Sequence, residues 1–222
     1  MRQSYTEKLD DLKIEVLRMG ALVEDAITKA SYSLLRQEVS LAEEVLRNEE
    51  HINKYETIIE DKCVILVATE QPVAHDLRLI ISTLKSIRDL ERIGDYAAHL
   101  ASIARNLIGG NFLEKFSLPL HNNIKKMFEM CVEMIKKTMQ AFREEDAGIA
   151  REVMEFDEQV DSLYLDVFKE FLGDMKQDPS YAHQLNSLIF VSKYLERLAD
   201  HVINICEEII YIQTGERVEK QN

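Results

Sequence analysis

The sequence Leu-Glu-Arg-Ile-Gly-Asp at residues 90–95 returns as Leu-Glu-Arg-Leu-Ala-Asp at residues 195–200, 105 positions later. A second similarity joins Ser-Leu-Ala-Glu-Glu-Val-Leu at residues 40–46 to Gly-Ile-Ala-Arg-Glu-Val-Met at residues 148–154, at an offset of 108 positions. The offset changes by three between the two segments, as it would where a connection between helices differs in length. This order and spacing indicate that the second half of the chain repeats the first.

Around these segments, apolar residues recur at helical spacing along six stretches. The predicted helices cover residues 5–36, 40–70, 73–108, 121–143, 146–174 and, last, the stretch after 178–180 up to 213. Breakers separate them, namely Pro72, a Gly109-Gly110 hinge, a Leu118-Pro119 loop, Asp178-Pro179-Ser180 and Gly215. Helices of about 30 residues are some 45 Å long and bury their apolar stripes by lying side by side. We therefore predict an all-α fold of two tandem antiparallel three-helix bundles, at residues 1–110 and 111–222.

The charge of the chain limits the classes of partner. Lys and Arg number 27 against 40 Asp and Glu, which gives a formal net charge of −13. A nucleic-acid partner is not expected, because binding a phosphate backbone requires a basic face. Excess carboxylate instead suits cations or basic patches on other proteins.

Hydropathy and cysteine use favour a cytoplasmic protein. No apolar run approaches the roughly 20 residues of a spanning helix, so no transmembrane segment is expected. The residues after Met1 are polar and show no signal peptide. Cys63, Cys131 and Cys206 are far apart and lie in helical patterns. We interpret them as small buried hydrophobic residues in a reducing compartment.

Paired acidic residues four positions apart recur in both halves. They are Glu91/Asp95, Asp157/Asp161 and Glu196/Asp200, with a partial version at Glu49/Asn53. This spacing puts both side chains on one helix face, where like charges repel unless a cation lies between them. Chance alone gives roughly 7 such pairs in so acidic a chain, so the spacing by itself is not diagnostic. Their equivalent places in the repeat, and their positions along apolar tracks, are what single these pairs out.

Two interpretations of the pairs stay open. Arg92 and Arg197 follow the glutamates directly but point about 100° around the helix, so they are expected to be poor partners within their own helix. An interhelical Arg–carboxylate network is one interpretation. The other is a pair of metal sites made by the second and third helices of each unit, because oxygen-rich clusters hold cations such as Mg²⁺, Mn²⁺, Fe or Ca²⁺. The predicted ligands are Glu49, Asn53, Glu91 and Asp95 in the first unit, and Asp157, Asp161, Glu196 and Asp200 in the second.

Histidines add little to this interpretation. His99 lies four residues after Asp95 and would extend that row of ligands, although an ordinary surface histidine is the expected role. The other histidines form no HExxH motif or paired-ligand spacing. We also find no Gly-rich loop or basic cluster that would hold phosphate directly.

These motifs together resemble the PhoU family of phosphate-uptake regulators. The resemblance rests on the repeated hexapeptide, on Gln-Pro-Val-Ala-His-Asp-Leu-Arg at residues 71–78 and on Asp-Glu-Gln-Val-Asp at residues 157–161, and it covers essentially the whole chain. It implies a cytoplasmic, often dimeric regulator that works between a phosphate ABC transporter and a membrane sensor histidine kinase. Such a regulator restrains phosphate uptake and the phosphate-starvation response.

Some members of that family bind multinuclear metal clusters through paired Glu/Asp-x-x-x-Asp motifs. The resemblance therefore implies Fe, Mn, Zn or Mg as a cofactor. Its ligands would be Glu49, Glu91, Asp95, Asp157, Asp161, Glu196 and Asp200. Asn53 stands where the family usually has Asp, which weakens the prediction of a first site.

Two other functions compete with a metal-dependent adaptor. One is a metal-free helical scaffold whose repeated motif is only an Arg–carboxylate lattice. The other is an enzyme of the ferritin-like di-iron class, which uses Glu-x-x-His ligands. Gly94 and Ala199 occupy the positions where that histidine would stand, so we expect no catalytic residues and no enzyme.

Overall fold

The computed structural model describes residues 2–107 and 116–218. The predicted hinge at Gly109-Gly110 lies outside these ranges. The described residues form seven α-helices: α1 Arg2–Leu35, α2 Val39–Glu70, α3 Ala74–Leu107, α4 Leu118–Glu144, α5 Ala147–Met154, α6 Asp157–Gln177 and α7 Ala182–Thr214. A 3-10 turn at Pro179–Tyr181 leads into α7. The six predicted helical stretches are confirmed, with the fifth divided into α5 and α6.

The division of the fifth stretch is a correction to the prediction of one continuous helix. Helix α5 is only 8 residues long and ends at Met154, and α6 begins at Asp157. Asp146 caps α5, because its Oδ1 accepts hydrogen bonds from the backbone N–H groups of Gly148 (2.6 Å) and Ile149 (3.2 Å). Asp157 and its acidic neighbour occupy the first turn of α6, where the helix dipole favours negative charge.

Helix α4 also begins earlier than predicted. Leu118 and Pro119 belong to its first turn and not to a loop. Proline is well tolerated there, because the first N–H groups of a helix have no partner within it. Ser117 caps this end by accepting a hydrogen bond from the Leu120 N–H (3.4 Å).

Each half of the chain is a three-helix unit, as predicted. Helices α1, α2 and α3 pack on one another, and α4, the α5–α6 segment and α7 do the same. Their buried side chains include Val16, Ile52 and Ile87 in the first unit and Phe128, Val160 and Leu195 in the second. The three cysteines are buried as expected, and burial raises the pKa of each thiol to about 12.

The two units share one hydrophobic core, because α3 packs along α7 and α1 packs along α4. Across the first pair, the Glu208 carboxylate accepts hydrogen bonds from Ser82 Oγ (2.7 Å) and Lys85 Nζ (2.8 Å). Further along, His201 Nδ1 lies 2.7 Å from Asp89 Oδ1. Low-numbered residues of α3 thus meet high-numbered residues of α7, so the two helices run antiparallel.

Helices α1 and α4 are antiparallel as well. Gly20 lies against Met139, and a Cβ on that glycine would overlap the Met139 Sδ. About two turns away, at the carboxyl end of α4, Lys13 forms an ion pair with Glu145. Both sets of equivalent helices are antiparallel, so an approximate two-fold axis relates the two units.

Candidate metal centres

The first carboxylate cluster lies where α2 and α3 approach closely. Gly94 makes this approach possible, since a Cβ there would be 2.9 Å from Ile52 Cδ1. Half-buried Glu91 faces α2 beside this contact. Burial raises the pKa of Glu91, and the neighbouring charges of Asp95, Glu56 and Glu49 raise it further against the opposing effect of Arg92. Carboxylates from both helices therefore converge on Glu91.

Glu56 is a member of this cluster that the sequence prediction missed. Burial is the largest cause of its raised pKa, followed by the charge of Glu60, and Asp95 adds to it from α3. Glu56 lies seven residues after Glu49, two turns along the same helix face. That spacing was the available signal, and it falls outside the four-residue motif.

Glu56 compensates for the asparagine at position 53. At an offset of 108, Asn53 corresponds to Asp161, and Glu56 corresponds to Tyr164. The second unit thus has a carboxylate at Asp161, one helical turn before the position that corresponds to Glu56. Asn53 itself is exposed. With Glu56 included, the first cluster has four carboxylates, as many as the sequence predicts for the second with Asp157, Asp161, Glu196 and Asp200.

The second cluster joins α6 to α7. Burial raises the pKa of Asp161, and the charges of Glu196 and Asp200 across the helix pair raise it further, while Lys193 lowers it. Asp161 as a whole is exposed, but its carboxyl lies close enough to α7 to lose part of its hydration, and Glu196 is half-buried. Asp157 is half-buried in the first turn of α6, one turn before Asp161. In the second unit, as in the first, carboxylates on the second and third helices are therefore neighbours, as the sequence predicts.

Cationic side chains already contact both clusters. Arg92 NH1 lies 3.1 Å from Asp95 Oδ2, and Arg197 NH1 lies 3.5 Å from Asp200 Oδ2. The prediction that these arginines are poor partners within their own helix was wrong, because each reaches the aspartate three residues on. Lys193 Nζ also lies 2.7 Å from Glu196 Oε2.

Comparison with known proteins tests the resemblance. The PhoU domain model matches residues 16–104 and again residues 124–209. The chain belongs to the PhoU family. The two matched ranges begin 108 positions apart and end 105 positions apart, so they reproduce both offsets of the internal repeat.

Curated relatives and solved structures agree over nearly the whole chain. The phosphate-specific transport system accessory protein PhoU homolog of Clostridium acetobutylicum is 37% identical, over 98% of each chain. The homolog of Pseudomonas aeruginosa is 34% identical over 96% of this chain and 86% of its own. The crystal structure of PhoU from Pseudomonas aeruginosa covers 96% of this chain and 100% of its own, with a TM-score of 0.89 and 34% identity. The phosphate transport system regulatory protein PhoU from Streptococcus pneumoniae covers 97% and 99%, with a TM-score of 0.83 and 29% identity.

The PhoU-family clusters fit a cation by donor chemistry. Their donors are carboxylate oxygens, the ligands that hard and borderline ions prefer. Burial raises the pKa values of Glu56, Glu91 and Asp161, and the charges of neighbouring carboxylates in the same cluster raise them further. A bound cation would offset both effects. Within residues 2–107 and 116–218, no three His, Cys, Asp or Glu side chains already converge as ligands of one ion. Ligation would require carboxylates to turn away from their Arg and Lys partners.

His99 lies among aromatic side chains and not in line with the carboxylates of the first cluster. Its ring stacks on Tyr194 with the ring centroids 5.1 Å apart, and Tyr96 lies beside both. His99 is exposed. This aromatic group lies on the seam between α3 and α7, and the stacking accounts for the position of the histidine ring.

Proposed function

We propose that this PhoU-family chain is an accessory protein of a phosphate transport system that restrains phosphate uptake and the phosphate-starvation response. The support is the agreement of relatives that carry this accessory role in their names, at 31–37% identity over at least 96% of this chain. The relatives are accessory proteins by name, and we propose that this chain has no enzymatic activity.

We further propose that it acts in the cytoplasm, as a homodimer, between a phosphate ABC transporter and a sensor histidine kinase. An adaptor needs surfaces and no active site, and the acidic charge of −13 suits basic patches on partners. None of the helices in the described ranges is long and apolar enough to cross a membrane.

The observation that carries a metal-dependent mechanism is the duplicated cluster of four carboxylates. In the first unit these are Glu49, Glu56, Glu91 and Asp95, and in the second they are Asp157, Asp161, Glu196 and Asp200. An ion of Fe, Mn, Zn or Mg would supply positive charge that links the second helix of each unit to the third. The Ile52–Gly94 contact sets the distance between α2 and α3 for it. Arg92, Lys193 and Arg197 pair with the carboxylates when no ion is bound, and a bound ion would replace them.

A metal-free scaffold is the second candidate function. The ion pairs of Arg92 with Asp95 and of Arg197 with Asp200 favour it, because they already neutralise part of each cluster. In that case the repeated motif would stabilise the helices and would not respond to metal.

A complementation experiment tests the regulatory proposal. A strain that lacks the gene is supplied with the wild type, with Glu196→Gln/Asp200→Asn or with a control, and a phosphate-starvation reporter is measured in high phosphate. The control is Asp166→Asn/Glu170→Gln, an acidic pair with the same spacing on α6 that lies outside the cluster. We expect the wild type and the control to repress the reporter and the cluster variant to leave it active. Repression by all three proteins would contradict the role of the cluster, and repression by none would contradict the regulatory function itself.

A further inference from the structure

Helix α6 carries apolar side chains on two faces. Val160 and Val167 are buried in the core. Leu165 and Leu172 lie about 140–160° around the helix from Val167, so they point away from the core. Together with Phe168 between them they form an apolar row, in which the exposed fractions are 57% for Leu165, 45% for Phe168 and 43% for Leu172. We call these three residues the α6 stripe.

The internal repeat shows that the fold does not require the α6 stripe. At the offset of 108 positions, the counterparts of Leu165, Phe168 and Leu172 are Thr57, Glu60 and Val64. Helix α2 thus takes the same place in the first unit with two polar residues at these exposed positions. On α7, exposed Phe190 likewise corresponds to Lys85 at the offset of 105. Apolar surface that folding does not need marks a site of interaction.

The two ends of the α6 stripe carry opposite charges. Glu158 lies seven residues before Leu165, and Lys176 lies four residues after Leu172, so both are on the same side of the helix as the stripe. Both are exposed, Glu158 in the first turn of α6 and Lys176 in the last. Asp161 of the second carboxylate cluster adds to the acidic end. This side of α6 is therefore acidic, then apolar, then basic along the chain.

That order is complementary to itself when two copies of α6 lie antiparallel. A two-fold axis that passes near Phe168 puts Leu165 of one copy against Leu172 of the other, with the two Phe168 side chains at the centre. The same axis brings Glu158 of each copy near Lys176 of the other. A parallel pair of helices would instead place like charges together. The pattern thus fits the isologous contact of a symmetric dimer.

We propose that the α6 stripe binds the α6 stripe of a second copy of this chain, with the two helices antiparallel. This inference rests on the proposed homodimer and gives it a contact face. Helix α6 has 21 residues and is about 30 Å long, so the interface is small and the dimer should dissociate at micromolar concentrations. An anionic lipid surface fits this side of α6 less well, because Glu158 lies on it and the chain has a net charge of −13.

Replacing the apolar side chains tests the proposal. The stripe variant is Leu165→Gln/Phe168→Gln/Leu172→Gln, which leaves the core intact because all three side chains are exposed. The matched control is Val64→Gln/Ile65→Gln on α2, whose side chains are 57% and 58% exposed. Sedimentation equilibrium of the purified proteins measures the dissociation constant of the dimer, and circular dichroism melting curves check that every variant is folded.

We expect the wild type to dimerise and the control to have the same dissociation constant. The stripe variant should dimerise on the order of 100-fold more weakly, because a few apolar side chains at the centre of an interface carry most of its binding energy.

Charge reversal tests the antiparallel arrangement. Glu158→Lys places a lysine near Lys176 of the second copy, so the dimer should weaken on the order of 10-fold. Glu158→Lys/Lys176→Glu restores opposite charges across the axis and should return the dissociation constant to near the wild-type value.

The results that would overturn the proposal separate the contact face from the homodimer. A folded stripe variant that dimerises as tightly as the wild type, or a double charge reversal no tighter than the single one, would overturn the α6 contact and leave the homodimer standing. A wild type that stays monomeric at every concentration would overturn both. The same proteins are sedimented with phosphatidylglycerol vesicles, and we expect no binding. Binding by the wild type that the stripe variant loses would assign the stripe to a lipid surface and overturn the proposal.

Discussion

At the scale of single residues, the two carboxylate clusters have the same number of predicted ligands, but one carboxylate stands at a different position in each unit. Asn53 and Glu56 in the first unit stand where Asp161 and Tyr164 stand in the second. The sequence motif predicts Glu91, Asp95 and their counterparts, because their spacing repeats. It does not predict Glu56, since that residue lies a full turn beyond the motif and becomes a neighbour only through the packing of α2 on α3.

The burial of carboxyls in the clusters, together with the repulsion between them, predicts an unusual dependence of stability on pH. The carboxyls of Glu56, Glu91 and Asp161 have raised pKa values, so their ionised forms destabilise the fold when no metal is present. With chelator at pH 7, Glu56→Gln/Glu91→Gln/Asp161→Asn should unfold at a higher urea concentration than the wild type. The gain should be about 0.2–0.5 kcal/mol for each like-charge contact removed. It should shrink as the pH falls, because the wild-type carboxyls then become protonated.

A control for this experiment is Glu50→Gln. Lys54 lowers the pKa of Glu50, so its ionised form is favoured in the folded state and the substitution should not raise stability at pH 7. A triple variant that is less stable than the wild type at pH 7 would show that the Arg and Lys partners outweigh the repulsion between carboxylates.

At the scale of elements, the helices follow from apolar periodicity, but two of their limits do not. The break between α5 and α6 has no Pro or Gly to mark it, and Glu155 and Phe156 read as ordinary helix residues. At Pro119 the sequence marks a break where the structure has none. A proline in mid-helix would end the helix, but Pro119 lies in the first turn of α4, where a proline fits. Local chemistry alone does not separate these cases.

The contact between α2 and α3 predicts a rescue by a second substitution. In the first unit Gly94 faces Ile52. The equivalent positions in the second unit are Ala199, which is larger than glycine, and Val160, which is smaller than isoleucine. The larger residue on one helix is thus matched by a smaller residue on the other. Gly94→Ala should lower the free energy of unfolding by about 1 kcal/mol, because the cost of overpacking exceeds the gain in helix propensity. Gly94→Ala/Ile52→Val should be more stable than Gly94→Ala, as measured by urea denaturation.

The matched control is Gly173→Ala in α6, where nothing lies within 4 Å of the added Cβ. That substitution should raise stability by about 0.5–1 kcal/mol through helix propensity alone. If the effects of Gly94→Ala and Ile52→Val on the free energy of unfolding were strictly additive, the Gly94–Ile52 contact would not be equivalent to the Ala199–Val160 contact of the second unit.

At the scale of the whole molecule, the sequence predicts two units but not how they join. Periodicity shows which residues of α1, α3, α4 and α7 are apolar, yet it does not show that α3 meets α7 and α1 meets α4. That information lies in long-range contacts, such as Glu208 with Ser82 and Lys85, that no local pattern marks.

The shared core predicts that the two units unfold together. Each unit buries part of its apolar surface only against the other, so neither half is stable alone. Urea unfolding followed by far-ultraviolet circular dichroism and by tyrosine fluorescence should give one transition with the same midpoint. Two separated transitions would contradict a shared core and would indicate that the repeats fold as independent domains.

The central claim, that both units hold metal through four carboxylates each, is tested most directly by elemental analysis of the purified, untagged protein. The wild type is compared with a first-cluster variant, Glu49→Gln/Glu56→Gln/Glu91→Gln/Asp95→Asn, and with a second-cluster variant, Asp157→Asn/Asp161→Asn/Glu196→Gln/Asp200→Asn. We predict stoichiometric Fe, Mn, Zn or Mg in the wild type, partial loss in each variant and complete loss when the two are combined. Equally low metal content in all four proteins would contradict the claim and favour the metal-free scaffold.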